Sequence, residues 1–362
     1  MFLQHLHLTQ FRNIPEAHHH FTGRRIFFRG ANGQGKTNLL EAIGYATLMR
    51  SFRTSDYHHL MRHGASETGL RYVFGVDAGE RGEEGELEIH LRPKGRELRL
   101  DGEKVARLGE VAGRFPTVVF SSQDSQLLRG APGLRRRWMD MALATHDPHY
   151  LSVWRDYQGA LQARNALLRR GEGKDAVYGP FEHLLVRHGL ALMSLRETYL
   201  KRLGTLLAEF YARLSDDREE AGLAYQPGFR VPDPGELENR LRTQRGRDRE
   251  RGFTREGPHR DDWMLLLNGV SASSFASEGQ QRGLVLSLGL AQRSHYAGKH
   301  QRQPILLADD ILGELDPARR ERFWSLLPGQ GQIFATGTEV PVLPEQDTWE
   351  VMEIRERMRD EG

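Results

Sequence analysis

Eight consecutive residues, Gly30, Ala31, Asn32, Gly33, Gln34, Gly35, Lys36 and Thr37, fit the pattern G-x-x-x-x-G-K-[ST]. The residue types suit phosphate chemistry. Glycine lets backbone N–H groups converge on an anion, and the positive end of a helix starting here attracts it. Lys36 is long enough to reach β and γ phosphates, and Thr37 offers a hydroxyl to the Mg2+ ion that neutralises them. The flanks agree: the apolar run Ile26 to Phe28 predicts a strand entering the loop, and Leu39 to Ile43 predicts a helix leaving it. A glycine-rich turn whose lysine points to water would not account for that context.

A phosphate loop of this kind needs a metal-binding carboxylate at the end of a second buried strand. Residues 304–310 read PILLADD. Asp309 falls where it meets the water shell of Mg2+, and Asp310 follows where a carboxylate would polarise attacking water. The alternative is an acidic pair that caps the next turn. Aspartate is one methylene shorter than glutamate, and misplacing a catalytic group by about 1 Å costs ~100-fold in rate, so slow hydrolysis of ATP is expected. A second candidate anion site opens the apolar helical run after residue 277, which begins SEGQQR. Ser277 and Gln280 have capping-box spacing, and Gly279 keeps the first turn small. Such a turn would accept a γ phosphate held by another subunit.

Other signals are weaker. His18, His19 and His20 have no neighbours that fix a metal geometry in the sequence, and are read as an exposed loop or strand end. Ser121 and Ser122 lack a base and an orienting acid at readable spacing. Arg129, Arg135, Arg136, Arg137 and the stretch from Arg240 to Arg255 are candidate phosphate contacts for DNA, with internal ion pairing as the alternative. No basic-aromatic interleaving points to base reading.

Composition sets the bounds. With 362 residues, 38% hydrophobic and 28% charged, the chain suits a folded protein of more than one lobe. The absence of cysteine removes disulfides, thiolate metal sites and cysteine nucleophiles. No apolar run approaches the ~20 residues that span a bilayer, and the N-terminus lacks a secretory pattern, so no membrane is expected as a partner and a cytoplasmic location is. A net charge of +2 permits nucleic acid without demanding it.

The elements that must position these groups form an α/β pattern. Residues 1–130 are strand-rich, with runs RRIFFRG, YVFGVD, GELEIHLRP, ELRLDGEKV and PTVVFSS. From Asp147 and Pro148, a good N-cap and first-turn pair, the period becomes helical: Tyr150, Trp154, Tyr157, Leu161 and Leu168, then a break at GEGKD, then Phe181 to Phe210. Two long helices predict an antiparallel hairpin or small bundle, packed as one face of a core or projecting as an arm. The arginine-rich segment 240–255 is read as a solvated connection. Strands return at WMLLLNGV, with Asn268 and Gly269 as a hairpin turn, and at PILLAD and QIFATGT, with a helix from Pro317. The expected organisation is a head built from 1–130 and 250–362, interrupted by a helical insertion over 131–249.

Taken together, LHLTQFRNI, GANGQGKTNLLEAI, SFRTSDY, GPHRDDW, SEGQQR and LLADDILGELD, in this order along nearly the whole chain, resemble the SMC-like class of ATP-binding-cassette (ABC) ATPases, and within it the bacterial recombination-repair branch. By that resemblance Gly30 to Thr37 correspond to Walker A, Asp309 and Asp310 to Walker B, Ser277 to Arg282 to the signature, Glu314, Leu315 and Asp316 to the D-loop, and Gln123 to the Q-loop glutamine that completes the Mg2+ shell. Ser122-Gln123-Asp124 departs from the branch's Pro-Glu-Asp, and Thr336-Gly337-Thr338 stands where other cassette ATPases carry a switch histidine. GPHRDD is a family fingerprint without a sequence-evident role. The resemblance implies an ABC-type head with an inserted helical arm, an ATP-dependent homodimer, and binding to single- or double-stranded DNA at gaps or junctions. It also implies work with recombination mediators and a recombinase in repair, replication restart and the SOS response. A transporter nucleotide-binding subunit would share Walker A, signature and Walker B, but not the arginine-rich insertion. A small-molecule kinase would leave SEGQQR unexplained, and a passive scaffold would not depend on Lys36.

Overall fold

The chain begins with an antiparallel pair, β1 (Phe2–Phe11) and β2 (Ile14–His20), followed by β3 (Arg25–Arg29) and α1 (Lys36–Leu48). β4 (Thr68–Gly75), β5 (Gly85–Arg92), β6 (Gly95–Leu100), β7 (Glu103–Lys104) and β8 (Thr117–Ser121) come next. A helical stretch follows: α2 (Gln126–Arg129), α3 (Pro132–His146), α4 (Pro148–Arg170) and α5 (Gly179–Ser215). β9 (Ala221–Gln226), α6 (Pro234–Thr243), α7 (Arg245–Arg251), β10 (Asp262–Leu267), β11 (Val270–Ser271) and α8 (Ala272–Phe275) lead to α9 (Glu278–His300). β12 (Ile305–Asp309), α10 (Pro317–Ser325), β13 (Ile333–Gly337) and β14 (Glu350–Glu353) end the sequence of elements. This computed structural model describes residues 1–75, 85–171, 175–215, 219–229, 233–310, 315–327, 329, 331–343 and 348–354. Among the described residues, no helix is long and apolar enough to cross a membrane.

The chain divides into two compact units. The first comprises 1–125, 210–218 and 285–362 and contains two sheets. One is antiparallel in the order β2-β1-β4-β5-β6-β7. The other, β14-β3-β13-β12-β8, is parallel throughout. Continuous apolar runs such as ILLA in β12 and IFA in β13 suit strands covered on both faces. Phe28, Leu307 and Phe334 pack on one face with Leu40 and Ile43 of α1. Phe27, Leu306, Ala308 and Ala335 pack on the other with Leu286 and Leu290 of α9 and Phe323 and Trp324 of α10. Gly44 lets α1 approach the sheet: a Cβ there would lie 3.1 Å from Leu307 Cδ1.

The second unit comprises 126–209 and 219–284. The expected hairpin is present. Arg164 meets Glu182, Tyr157 meets the backbone of Gly189, and Tyr150 meets Arg196, so α4 and α5 run antiparallel. Asp147 caps α4 by accepting from His149 N–H, with Pro148 in the first turn. Two ionic clusters hold the unit together. Arg164, fully buried, bridges Glu182 and Asp248; Arg196 bridges Asp140 and Asp261. β9, β10 and β11 form a small antiparallel sheet, and Asn268 and Gly269 turn with φ of 51° and 78°, as the hairpin reading requires.

Two sequence expectations change. The boundary at 249/250 does not separate the units, because β9 on one side of it is hydrogen-bonded to β10 on the other; the second unit extends to Leu284. The arginine-rich segment is α6 and α7 rather than a solvated connection. Arg245 and Asp248 are buried against Glu182 and Arg164, so ion pairs replace the apolar stripe that sequence reading looks for. The reading of His18, His19 and His20 as a strand end holds: they are the last three residues of β2, with alternate residues on opposite faces and His18 and His20 exposed.

Candidate functional site

Parallel pairing aligns the carboxyl ends of β3, β13, β12 and β8: Gly337 pairs with Arg29, Ala308 with Ala335, and Asp309 with Ser121. The segments after these four strands therefore share one edge of the sheet, where open α/β sheets build ligand sites. They carry the phosphate loop, Thr338, Asp310 and Asp124 respectively.

The loop has the backbone its glycines predict. Gly33 and Gly35 have φ of 85° and 96°, and α1 starts at Lys36. A Cβ on Gly30 would meet Gln34 Oε1 at 2.5 Å and the Ile354 carbonyl at 2.6 Å. Gln34 Oε1 accepts the Ala31 N–H at 2.7 Å, while Asn32 and Gly33 are exposed at the tip. Lys36 is buried, and its Nζ donates to the carbonyls of Gly30 (2.8 Å) and Ala31 (3.0 Å), which holds the ammonium across the loop mouth.

Thr37 and Asp309 come together: the hydroxyl donates to Oδ1 at 2.8 Å. Thr336 donates to the same oxygen at 3.0 Å and accepts the Asp310 N–H at 3.0 Å. The hydroxyl at the switch position is thus turned to the carboxylate, while Thr338 is exposed. Burial raises the Asp309 carboxyl above its ordinary value, against the lowering effect of the two hydroxyl donors. Asp310 has φ of 54°, a left-handed conformation that aspartate tolerates better than most residues.

Gln123 is exposed in the turn after β8. Its neighbour Asp124 faces inward, accepting the Ser121 N–H at 2.7 Å. Burial pushes the Asp124 carboxyl up to about 7, and the charge of Asp309 adds to the rise. Asp124, rather than Gln123, is thus the residue of this turn whose carboxylate faces inward and feels the charge of Asp309. Carboxylates crowded beside a hydroxyl form an all-oxygen donor set of the kind that holds Mg2+.

A group of residues that sequence reading left without roles anchors α1. Glu41, fully buried, accepts from Arg12 Nε (2.9 Å) and Nη2 (2.7 Å), from Arg53 Nη1 (3.1 Å) and from the Ser51 hydroxyl. Asn38 Nδ2 donates to Asn13 Oδ1 at 2.7 Å, and Arg53 reaches Asn38 Oδ1 at 2.8 Å. The motifs FRN and SFR thus clamp the first turns of the helix that carries Lys36 and Thr37. Their presence among the family motifs was the available signal.

In the second unit, Ser277 and Gln280 form the expected capping box. Ser277 N–H donates to Gln280 Oε1 at 2.6 Å, and Gln280 N–H to Ser277 Oγ at 3.3 Å. Gln280 also donates to Glu219. Ser277 is exposed and Gly279 half-buried. Of the D-loop residues, Glu314 lies outside the described residues; Leu315 is buried, and Asp316 caps α10 by accepting the Arg319 N–H at 2.9 Å.

GPHRDD proves structural. His259 accepts at Nδ1 from Tyr157 (2.7 Å) and donates from Nε2 to the Thr254 carbonyl (2.9 Å). Asp261 accepts from Arg196, Tyr225 and the Gly228 N–H. Asp262 takes Arg135 in a two-pronged pair at 2.7 Å. Arg136 donates to the Asp261 carbonyl at 3.0 Å. These contacts engage Arg135 and Arg136 inside the unit, the internal pairing that stood as the alternative to DNA contact; Arg137 beside them is half-buried.

A parallel sheet of this order, with a glycine-rich phosphate loop and an acidic strand end at its carboxyl edge, is that of an ABC-type ATPase head. Residues 2–357 match the family model described as RecF/RecN/SMC N terminal domain. The chain is 38% identical over 342 residues to "DNA replication and repair protein RecF" of Moorella thermoacetica, covering 92% of this chain and 90% of that one. It is 36% identical over 352 residues to the protein of the same name from Geobacter metallireducens, covering 95% and 94%. The chain belongs to the RecF family. A solved structure described as "the recombination mediator protein RecF-ATP in RecFOR pathway" superimposes with a TM-score of 0.86 at 28% identity, covering 95% of this chain and 93% of that one. An SMC head bound to the C-winged helix domain of ScpA gives 0.52 at 14% identity and shows the shared fold.

Proposed function

We propose that the protein is an ATP-dependent DNA clamp or loader of recombinational repair and replication restart, acting in the cytoplasm with recombination mediators and a recombinase. The Thr37–Asp309 contact carries the reading, because it joins the phosphate loop to the metal carboxylate within one unit. Gly30 to Thr37 bind the ATP phosphates, with Thr37, Asp309 and the inward-facing Asp124 as the groups that would hold Mg2+. Asp310 polarises the attacking water and hydrolyses slowly. Ser277, Gly279 and Gln280 of one copy reach the γ phosphate bound by a second copy, so ATP joins two heads. Phe275, 77% exposed and two residues before Ser277, is apolar surface that such a dimer would cover. Relatives named for replication and repair favour DNA over a transporter role.

DNA binding is assigned to backbone contacts at gaps or junctions, with the exposed Arg242, Arg247 and Arg251 on α6 and α7 in place of Arg135 and Arg136. Fluorescence anisotropy of a labelled gapped duplex tests this. ATP should tighten binding, Arg247→Ala with Arg251→Ala should weaken it, and affinity should fall steeply between ~50 and ~300 mM salt. Salt-independent affinity, or equal affinity with and without ATP, would contradict the proposal.

A further inference from the structure

Among the described residues β2 is an edge strand paired with β1 alone, and its register with β1 does what sequence spacing does not reveal. His18 stands opposite His7, His20 opposite His5, and Glu16 opposite Thr9. With a two-residue side-chain period, His5, His7, Glu16, His18 and His20 share one face. The two histidine pairs stack, with ring centroids 3.7 Å apart for His7 and His18 and 4.5 Å for His5 and His20. Ligand atoms of His7, Glu16 and His18 all lie within 4.8 Å of one another. Glu16 Oε1 is 3.1 Å from His18 Nε2 and 3.5 Å from His7 Nε2. His7 Nε2 is shielded from solvent and has no hydrogen-bond partner.

We infer that His7, Glu16 and His18 form a binding site for a divalent transition-metal ion of the zinc class, separate from the nucleotide site. Bonds of about 2.0 to 2.1 Å to nitrogen and carboxylate oxygen in a tetrahedral shell put neighbouring donors about 3.3 Å apart, and the 3.1 and 3.5 Å separations from Glu16 to the two imidazoles bracket that value; the stacked His7 and His18 rings, 19° from parallel, must turn out of the stack for both in-plane lone pairs to meet one ion. Two imidazoles and one carboxylate select zinc, cobalt, nickel or copper over Mg2+ and Ca2+, which prefer oxygen alone. The fourth position is left for water. Arg71, opposite His7 on β4, is the nearby cation that would oppose a metal, and its guanidinium is paired with Glu86. A metal here would pin the edge strand to its neighbour. The turn between those strands holds Arg12 and Asn13, which clamp α1, so the same ion would stiffen the support of the phosphate loop.

Cobalt titration of the tag-free, chelator-treated full chain, followed by visible absorbance and zinc displacement, tests the site. One cobalt per chain is expected, displaced by one zinc and leaving Mg2+ without effect. His7→Gln and His18→Gln should each weaken binding at least about 100-fold, more than the loss of an outer-sphere partner costs, while the exposed His63→Gln leaves it unchanged. Zinc should raise the melting temperature of the wild type and not that of Glu16→Gln. Wild type that binds no cobalt below about 100 µM, or variants that bind as wild type does, would overturn the inference.

Discussion

The hydroxyl of Thr37 and the carboxylate of Asp309 meet at 2.8 Å although 272 residues separate them in the chain. Two segments that each carry half of a nucleotide site are thereby brought to the carboxyl edge of one parallel sheet. Asp309 is also the acceptor for Thr336, so two strands and the first turn of α1 converge on one oxygen. Replacing Asp309 by Asn should leave metal-free nucleotide binding within about twofold. It should cut the gain in affinity that Mg2+ provides by about 10- to 100-fold, the worth of one or two charge-assisted contacts. Titration of a fluorescent ATP analogue with and without Mg2+ measures both numbers; an unchanged Mg2+ effect would remove Asp309 from the metal site.

The clamp on α1 makes a stability prediction. Glu41 is a buried carboxylate with two guanidinium partners, so Glu41→Ala removes the carboxylate that Arg12 and Arg53 share and leaves Arg53 only Asn38 Oδ1. A loss of about 2 to 4 kcal/mol is expected in urea unfolding, below the range for fully buried pairs because both arginines are partly exposed. The double variant Arg12→Met with Glu41→Leu should recover part of that loss. A cost under about 0.5 kcal/mol for Glu41→Ala would show that the cluster is incidental.

His259 gives a pH dependence with a definite sign. Burial lowers its imidazole from 6.5 to about 4, opposed in part by the Thr254 carbonyl. Between those values the unfolded chain binds a proton that the folded chain does not. The contribution is therefore complete above about pH 6.5 and lost as pH falls toward 4, on the order of 3 kcal/mol. Protonation at Nδ1 would also remove the acceptor for Tyr157. Denaturant unfolding at pH 7 and pH 4.5 should show a smaller acid loss for His259→Gln than for the wild type. Equal losses would mean that the imidazole is already protonated in the fold.

Much of the nucleotide site was legible because its parts are local. The strand, glycine loop and helix of residues 26–43 lie together, PILLADD is a buried strand ending in acids, and SEGQQR carries its own cap. Other parts depended on pairing that no short window contains. Glu41 reads as an ordinary helical carboxylate until Arg12 and Arg53 arrive from separate segments. Arg245 looks solvated until Glu182, 63 residues earlier, is placed against it. The histidines of β2 acquire a geometry only through the β1 register. Asp124 was visible beside Gln123, but its inward orientation comes from the Ser121 N–H bond.

Asp310 should make the protein a slow ATPase. It follows β12 in a left-handed conformation and carries a short side chain, which should place attacking water imperfectly. Steady-state phosphate release should run at or below about one turnover per second, and Asp310→Asn should lower it at least about 100-fold without weakening ATP binding. Turnover in the hundreds per second would contradict a switching role.

Mass measured by light scattering with no nucleotide, with ADP and with ATP, on wild type, Ser277→Arg and Asp310→Asn, tests the central claim that ATP joins two heads through the signature helix. The wild type should double in mass with ATP alone. Ser277→Arg should stay monomeric because its side chain obstructs the open first turn of α9, and Asp310→Asn should remain dimeric longest. A mass that ignores nucleotide in all three proteins, or a Ser277→Arg dimer as stable as that of the wild type, would contradict it.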